Sequence, residues 1–126
     1  MNPDPSALLP LTAAEFQILL SLAGGERHGY AIMQDAAFAT RGRLRLGPGT
    51  LYRSIKNLLA NGLIEERGER PDPSLDDERR RYYRLTALGH QAAAAEAVRL
   101  ADLVSLANAR LGLRSDGGGS SLQGAG

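Results

Sequence analysis

At 126 residues, 43% of them hydrophobic, the chain can bury one compact core but not two of ordinary size, and without cysteine it has no disulfide, thiolate nucleophile or cysteine-based zinc site. No apolar run approaches the roughly 20 residues of a membrane-spanning helix, and the opening MNPDPSALLP lacks the basic and apolar regions of a secretory signal, so a soluble, cytoplasmic protein is expected. Net charge is only +1, yet 11 of the 15 basic residues lie within residues 41–84 beside 7 acidic ones, a local surplus of four that fits either a one-sided electrostatic footprint or a solvated mixed-charge face.

Residues 1–10 are proline-rich and read as a flexible N-terminus. Thr12 with Glu15 makes a capping box, and Leu11 with Phe16 has the spacing of a hydrophobic staple, so a first helix begins at Thr12. Phe16, Leu19, Leu20 and Ala23 form its expected buried stripe, and Gly24-Gly25 ends it. A second helix over about residues 30–40 rests on Tyr30, Met33 and Ala37. Its apolar face is weak, so it is expected to cross a neighbour rather than centre the core. The connector RGRLRLGPG carries Arg41, Arg43 and Arg45. A third helix then opens at Pro48 or Gly49 and stops at Asn61-Gly62.

From residue 63 the period changes to that of a strand. RPDPSLDDE is a charged loop, and RRRYYRLT alternates so that Arg81, Tyr83 and Leu85 share one side. The two strands make a hairpin. A long helix follows Thr86, with Ala93, Ala97, Leu100, Val104, Ala107 and Leu111 at heptad spacing, Leu103 and Leu106 widening the stripe, and Glu96, Arg99 and Asp102 on the opposite, solvated side. It is about 36 Å long, more than the small domain it leaves can cover. A homodimer is therefore expected, built on Ala93, Ala97, Leu100, Leu103, Val104, Ala107 and Leu111. Residues 112–126 are Gly/Ser-rich and read as a disordered tail. The expected architecture is mainly α with a small β-hairpin: a winged helix-turn-helix over residues 11–86 and a C-terminal dimerisation helix over residues 87–111.

The third helix has its core side at Leu51, Ile55, Leu58 and Leu59, all within about 80° on a helical wheel. Its other side holds Gly49, Arg53, Lys56, Asn57 and Ala60, with Thr50 at the edge. Arg and Lys match the guanine acceptors of a DNA major groove, Asn matches adenine, and small residues permit close approach. Thr50 and the free N–H groups at the helix start favour a phosphate. Taken alone, the same residues also describe an ordinary solvated helix. The order of three helices and a wing makes this the recognition helix, with Arg79, Arg80 and Arg81 placed to follow the DNA backbone or minor groove. Asp76, Asp77 and Glu78 beside them can hold those arginines in internal pairs.

The blocks RHGYAIMQDA, GPGTLYRSIKNLLANGLIEE and DERRRYYRLTALG resemble the signature blocks of the PadR family of bacterial winged-helix transcription regulators, over about residues 11–89. The resemblance implies a dimeric DNA-binding repressor with the third helix in the major groove and the C-terminal helix shared between subunits. It puts Gly49, Thr50 and Tyr52 at the groove entrance, His28, Gly29 and Tyr30 beside a phosphate, and Tyr83 and Leu85 as anchors of the wing. From the residues alone, His28 is equally a turn or cap residue, and Tyr83 a core tyrosine. The single C-terminal helix is similar to the short subgroup of the family. Members respond to varied ligands, which allows a small-molecule effector whose identity the sequence does not give.

Two rival classes remain. An enzyme would need a nucleophile with its base or a set of metal ligands, and the two distant histidines and loop carboxylates supply neither, so no catalytic residue, metal or cofactor is expected. A winged helix can instead serve as a protein-interaction or small-molecule-sensing module without touching DNA.

Overall fold

The computed structural model describes residues 4–69 and 81–113. Four helices and a three-stranded antiparallel sheet make up these residues: α1 (Ala13–Ala23), β1 (Arg27–His28), α2 (Gly29–Ala39), α3 (Pro48–Ala60), β2 (Ile64–Glu69), β3 (Arg81–Leu85) and α4 (Ala87–Leu111). A 3-10 turn over Pro5–Leu8, capped by Asp4 accepting from the Ser6 N–H, precedes α1, and Leu8 and Leu9 pack against the core. This segment was expected to be loose; its two leucines give it an apolar anchor.

The α1 capping box forms as expected, with the Glu15 N–H donating to Thr12 Oγ1 at 3.0 Å and the Thr12 N–H to Glu15 Oε1 at 2.9 Å. The buried line of α1 is Ile18, Leu19, Ser21 and Leu22, not the expected stripe. Leu20 is exposed, Phe16 is half-buried and Ala23 lies outside. Five of the seven positions from Phe16 to Leu22 are apolar, so periodicity could not tell the two sides apart, and packing against α2 and α3 selected one. Helix α2 likewise buries Gly29, Ile32 and Ala36 rather than the line through Tyr30, and Ile32 is completely buried in the core.

Helix α3 agrees with its expectation at both ends. Pro48 occupies its first turn, and Gly62, at φ 75°, closes it with the Gly62 N–H donating to Leu59 O and the Leu63 N–H to Leu58 O. That is a Schellman motif, with buried Leu63 as its hydrophobic contact. Helix α2 ends in the same motif, Arg41 N–H to Phe38 O and Gly42 N–H to Ala37 O, but with Arg41 rather than glycine in the left-handed position at φ 56°.

The expected hairpin is present, with Ile64 opposite Leu85 and Glu66 opposite Tyr83, and a bulge between Glu66 and Glu69 where Gly68 adopts φ 91°. A third strand joins it: β1 pairs Arg27 with Tyr83 and His28 with Tyr82, giving the order β1-β3-β2. Two residues are too few to display an alternation, which is why β1 is silent in the sequence. Tyr83 lies in the central strand at 3% exposure.

The chain divides into two units, Met1–Glu96 and Ala97–Gly126. In the first, the opening turns of α4 bury Gly89, Ala92 and Glu96. Glu96 was expected on the solvated side, yet it is only 2% exposed. Alanine-rich turns offer no large side chain to define a stripe, so the line of closest backbone approach decides the rotation. A Cβ on Gly89 would lie 1.9 Å from Leu63 O. In the second unit, Val98, Leu103, Val104, Leu106 and Leu111 are exposed. Among the described residues no helix is long and apolar enough to cross a membrane.

Candidate nucleic-acid interface

Helix α3 is the most amphipathic of the four helices. Leu51, Ile55 and Leu58 are buried, and their insertion among α1, α2 and the sheet fixes the rotation of the helix. The other side, Gly49, Thr50, Arg53, Lys56, Asn57 and Ala60, is exposed throughout. The Arg53 guanidinium lies back along the helix, 3.9 Å from where a Gly49 Cβ would be. Asn57 Nδ2 donates to Glu15 Oε2 at 3.5 Å, a long and exposed bond that water or a ligand can replace at little cost. The α1 capping carboxylate thus borders the α3 face.

The start of α3 is open. Gly47 caps it without a side-chain hydrogen bond, Pro48 contributes no N–H, and residues 47–50 are exposed. A bare helix N-terminus carries a partial positive charge from its unpaired N–H groups.

The start of α2 is closed. His28 is its N-cap, Nδ1 accepting from the Ala31 N–H at 3.1 Å. The imidazole stacks near Tyr30 at 6.5 Å between ring centroids and meets Tyr82 edge-on at 5.2 Å. Gly29 is buried, and a Cβ there would lie 2.5 Å from the Tyr52 hydroxyl oxygen, which is itself buried. Tyr52 therefore directs its hydroxyl inward onto Gly29, and the two fasten α3 to the start of α2. Of this trio only Tyr30 is exposed.

The wing is laced by ion pairs across its strands. Arg84 pairs with Glu65, Arg81 with Glu66 at 3.8 Å, and Arg67 with Glu26 at 3.2 Å. Each of these side chains is between about a third and a half exposed, so the pairs orient the strands more than they stabilise them. Arg79, Arg80 and the acidic residues beside them lie outside the described residues.

Four positioning residues escaped the sequence reading. Arg27 Nε donates to Ser21 O at 2.9 Å and ties β1 to α1. Thr40 Oγ1 donates to Ala36 O and accepts from the Leu44 N–H, shaping the connector into α3. Thr86 Oγ1 donates to Gly62 O at 2.7 Å and accepts from the Gly89 N–H at 3.0 Å. The Thr-x-x-Gly spacing of Thr86 and Gly89 was the only visible signal among them, as a helix cap followed by a small residue.

This arrangement of three helices, a three-stranded sheet and an outward-facing third helix is found in known regulators. The model of the transcriptional regulator PadR-like family matches residues 18–95, more than half of the chain. The chain belongs to the PadR-like family of transcriptional regulators. Similar PadR-type folds include a transcriptional regulator from Clostridium thermocellum (24% identity, TM-score 0.64, 75% of this chain and 86% of that one). A PadR family transcription regulator from Clostridium difficile R20291 follows (22%, TM-score 0.63, 78% and 97%). Bacillus subtilis PadR, solved in complex with operator DNA, is also similar (24%, TM-score 0.58, 68% and 47%). These likenesses establish a winged-helix fold. A 37.1 kDa protein of uncharacterised function from transposon TN4556 of Streptomyces fradiae is 37% identical over 90 residues, 71% of this chain. The chain spans 24% of that relative's length.

Proposed function

We infer that this PadR-family regulator binds double-stranded DNA through the outer face of α3, as a homodimer, and represses by occupying a near-palindromic operator. The observation that carries the reading is the division of α3. One side supplies Leu51, Ile55 and Leu58 to the core, while the other holds two cations and an amide among small residues, all exposed. Arg53 and Lys56 suit guanine edges or phosphates, and Asn57 an adenine edge once it leaves Glu15. The open start of α3 at Gly49 and Thr50 suits a backbone phosphate. Tyr30 and Arg81, both exposed, flank this surface as secondary contacts, with Arg79 and Arg80 beyond Arg81 in the chain. His28, Gly29 and Tyr52 support it from behind. The operator complex of Bacillus subtilis PadR is consistent with this use of the fold.

The dimer reading rests on Val98, Leu103, Val104, Leu106 and Leu111, all exposed on residues 97–111 of α4. A second copy of the same helix, with Ala93, Ala97, Leu100 and Ala107 at the seam, would cover them. The protein acts in the cytoplasm, without a catalytic step or cofactor.

The test is binding to a fluorescent duplex of the protein's own upstream region at several salt concentrations, with a random duplex as competitor. Competitor-resistant binding of two subunits per duplex supports the reading. Arg53→Ala and Lys56→Ala should each lower the slope of log affinity against log salt by about one unit if the residue meets a phosphate. If it meets a base, specificity should relax by about 1–3 kcal/mol instead. Affinity and salt slope unchanged in both variants sink the reading in favour of a winged helix that binds protein or small molecules.

A further inference from the structure

We propose that the cleft between α3 and β3 is a binding site for a small amphipathic anion, a carboxylate or sulfonate on a flat apolar body, whose occupancy competes with DNA. The cleft measures about 390 Å³ and is lined by Tyr52, Ile55, Lys56, Leu59, Arg81 and Tyr83. That volume lies at the lower end of the range of small-molecule sites, roughly 300–1,000 Å³, and its lining of apolar walls with a few convergent polar groups has the composition of such sites. Ile55 and Tyr83 are buried at 3% exposure and form fixed parts of the wall. Tyr52 is held by the seat of its hydroxyl over Gly29, and Leu59 is half-buried against the core. The apolar surface is therefore preformed.

The two charged side chains of the lining are both cationic and exposed, Lys56 on α3 and Arg81 at the start of β3. The acidic group that faces Arg81 is Glu66, at 3.8 Å, in a pair nearly half exposed on both sides. A pair of that length and exposure is weak, so a ligand carboxylate can share Arg81 with Glu66 or replace it. A neutral apolar ligand would leave the two cations unanswered. A bare inorganic anion would leave the tyrosine and aliphatic walls wet. An anion with an apolar body answers both. A larger cleft of about 470 Å³ at the end of α2 also carries two arginines, Arg41 and Arg43, but no aromatic wall, and its Thr40 hydroxyl already serves Ala36 O and the Leu44 N–H.

The competition with DNA rests on the DNA reading, because Lys56 belongs both to the cleft and to the outer face of α3; the existence of the site does not. Titrating the full-length, isotope-labelled chain in the absence of DNA, by amide NMR, tests the site. The probes are 1-naphthoate, the neutral 1-naphthalenemethanol and inorganic phosphate. Saturable shifts concentrated at Tyr52, Leu59, Arg81 and Tyr83 are expected for naphthoate, with the other two probes at least about ten-fold weaker. The double variant Lys56→Ala/Arg81→Ala, whose own spectrum reports its fold, should weaken naphthoate by about five- to ten-fold. Equal binding of the neutral probe, equal binding of phosphate alone, shifts scattered over other surfaces, or an unaffected double variant each overturns the site. A fluorescent duplex titrated with naphthoate tests the competition. Release of DNA supports it, and simultaneous binding overturns it. A chain that binds naphthoate in the cleft but binds no duplex overturns the DNA reading and leaves the site standing.

Discussion

The starts of α2 and α3 look alike in the sequence, RHGY and GPGTLY, each a glycine before a small run ending in tyrosine. In the structure they are opposites. The α2 start is capped by His28 and sealed where Tyr52 rests on buried Gly29, whereas α3 begins at exposed Gly47 with no side-chain cap. The same two residue types, glycine and tyrosine, build a clamp in one place and leave an opening in the other. Spacing alone cannot separate an anion site from a packing seat, because both need a glycine at a helix start; what separates them is whether another element stands over it. The tyrosine of the α3 block is what closes the α2 block, so the two motifs are halves of one contact.

Substituting the glycines should break or sharpen this contrast. The upper limit of a glycine packed against another element is Gly89, whose added Cβ would meet the Leu63 carbonyl, an obstacle that cannot rotate away. Gly89→Ala should lose about 3 kcal/mol or more in urea unfolding, with loss of the folded state also counting as agreement and a loss below about 1 kcal/mol counting against the packing argument. Gly29→Ala should cost about 2 kcal/mol, because its obstacle is the buried end of a side chain. Adding Tyr52→Phe should recover part of that loss, and additivity of the two changes would break the clamp. His28→Ala should cost about 1 kcal/mol and His28→Asn much less, since Asn restores an acceptor for the Ala31 N–H. Gly49→Ala should move the other way, gaining about 0.5 kcal/mol from the higher helix propensity of alanine at a position with open space around it. The same variant should bind DNA less tightly if α3 enters a groove. A destabilised Gly49→Ala would show that the α3 start is not open.

Much of this fold could be read from the chain because its helix ends are marked by residues with one use. Thr12 and Glu15 announced α1, and Pro48 and Asn61-Gly62 bounded α3. The outward face of α3 was readable for the same reason that its core side was, since polar and apolar residues alternate at the helical period. Rotation of α1 was not, because leucines and isoleucine surround it. The burial of Glu96 was hidden because glycine and alanine, not large side chains, set the packing of α4. The roles of His28, Gly29 and Tyr52 depend on a contact between residues more than twenty positions apart, which no local pattern displays.

The junction at Gly62-Leu63 has a mechanical meaning. Gly62 and Leu63 end α3 and lead into β2. Gly62 O accepts from Thr86 Oγ1, Leu63 O accepts from the Thr86 N–H, and Gly89 lies directly beneath Leu63. The end of the reading helix and the first turn of α4 are thus bolted together through backbone atoms, with no linker to absorb rotation. Torque applied to that first turn reaches α3 as through a crank, and the angle of the one is geared to the angle of the other.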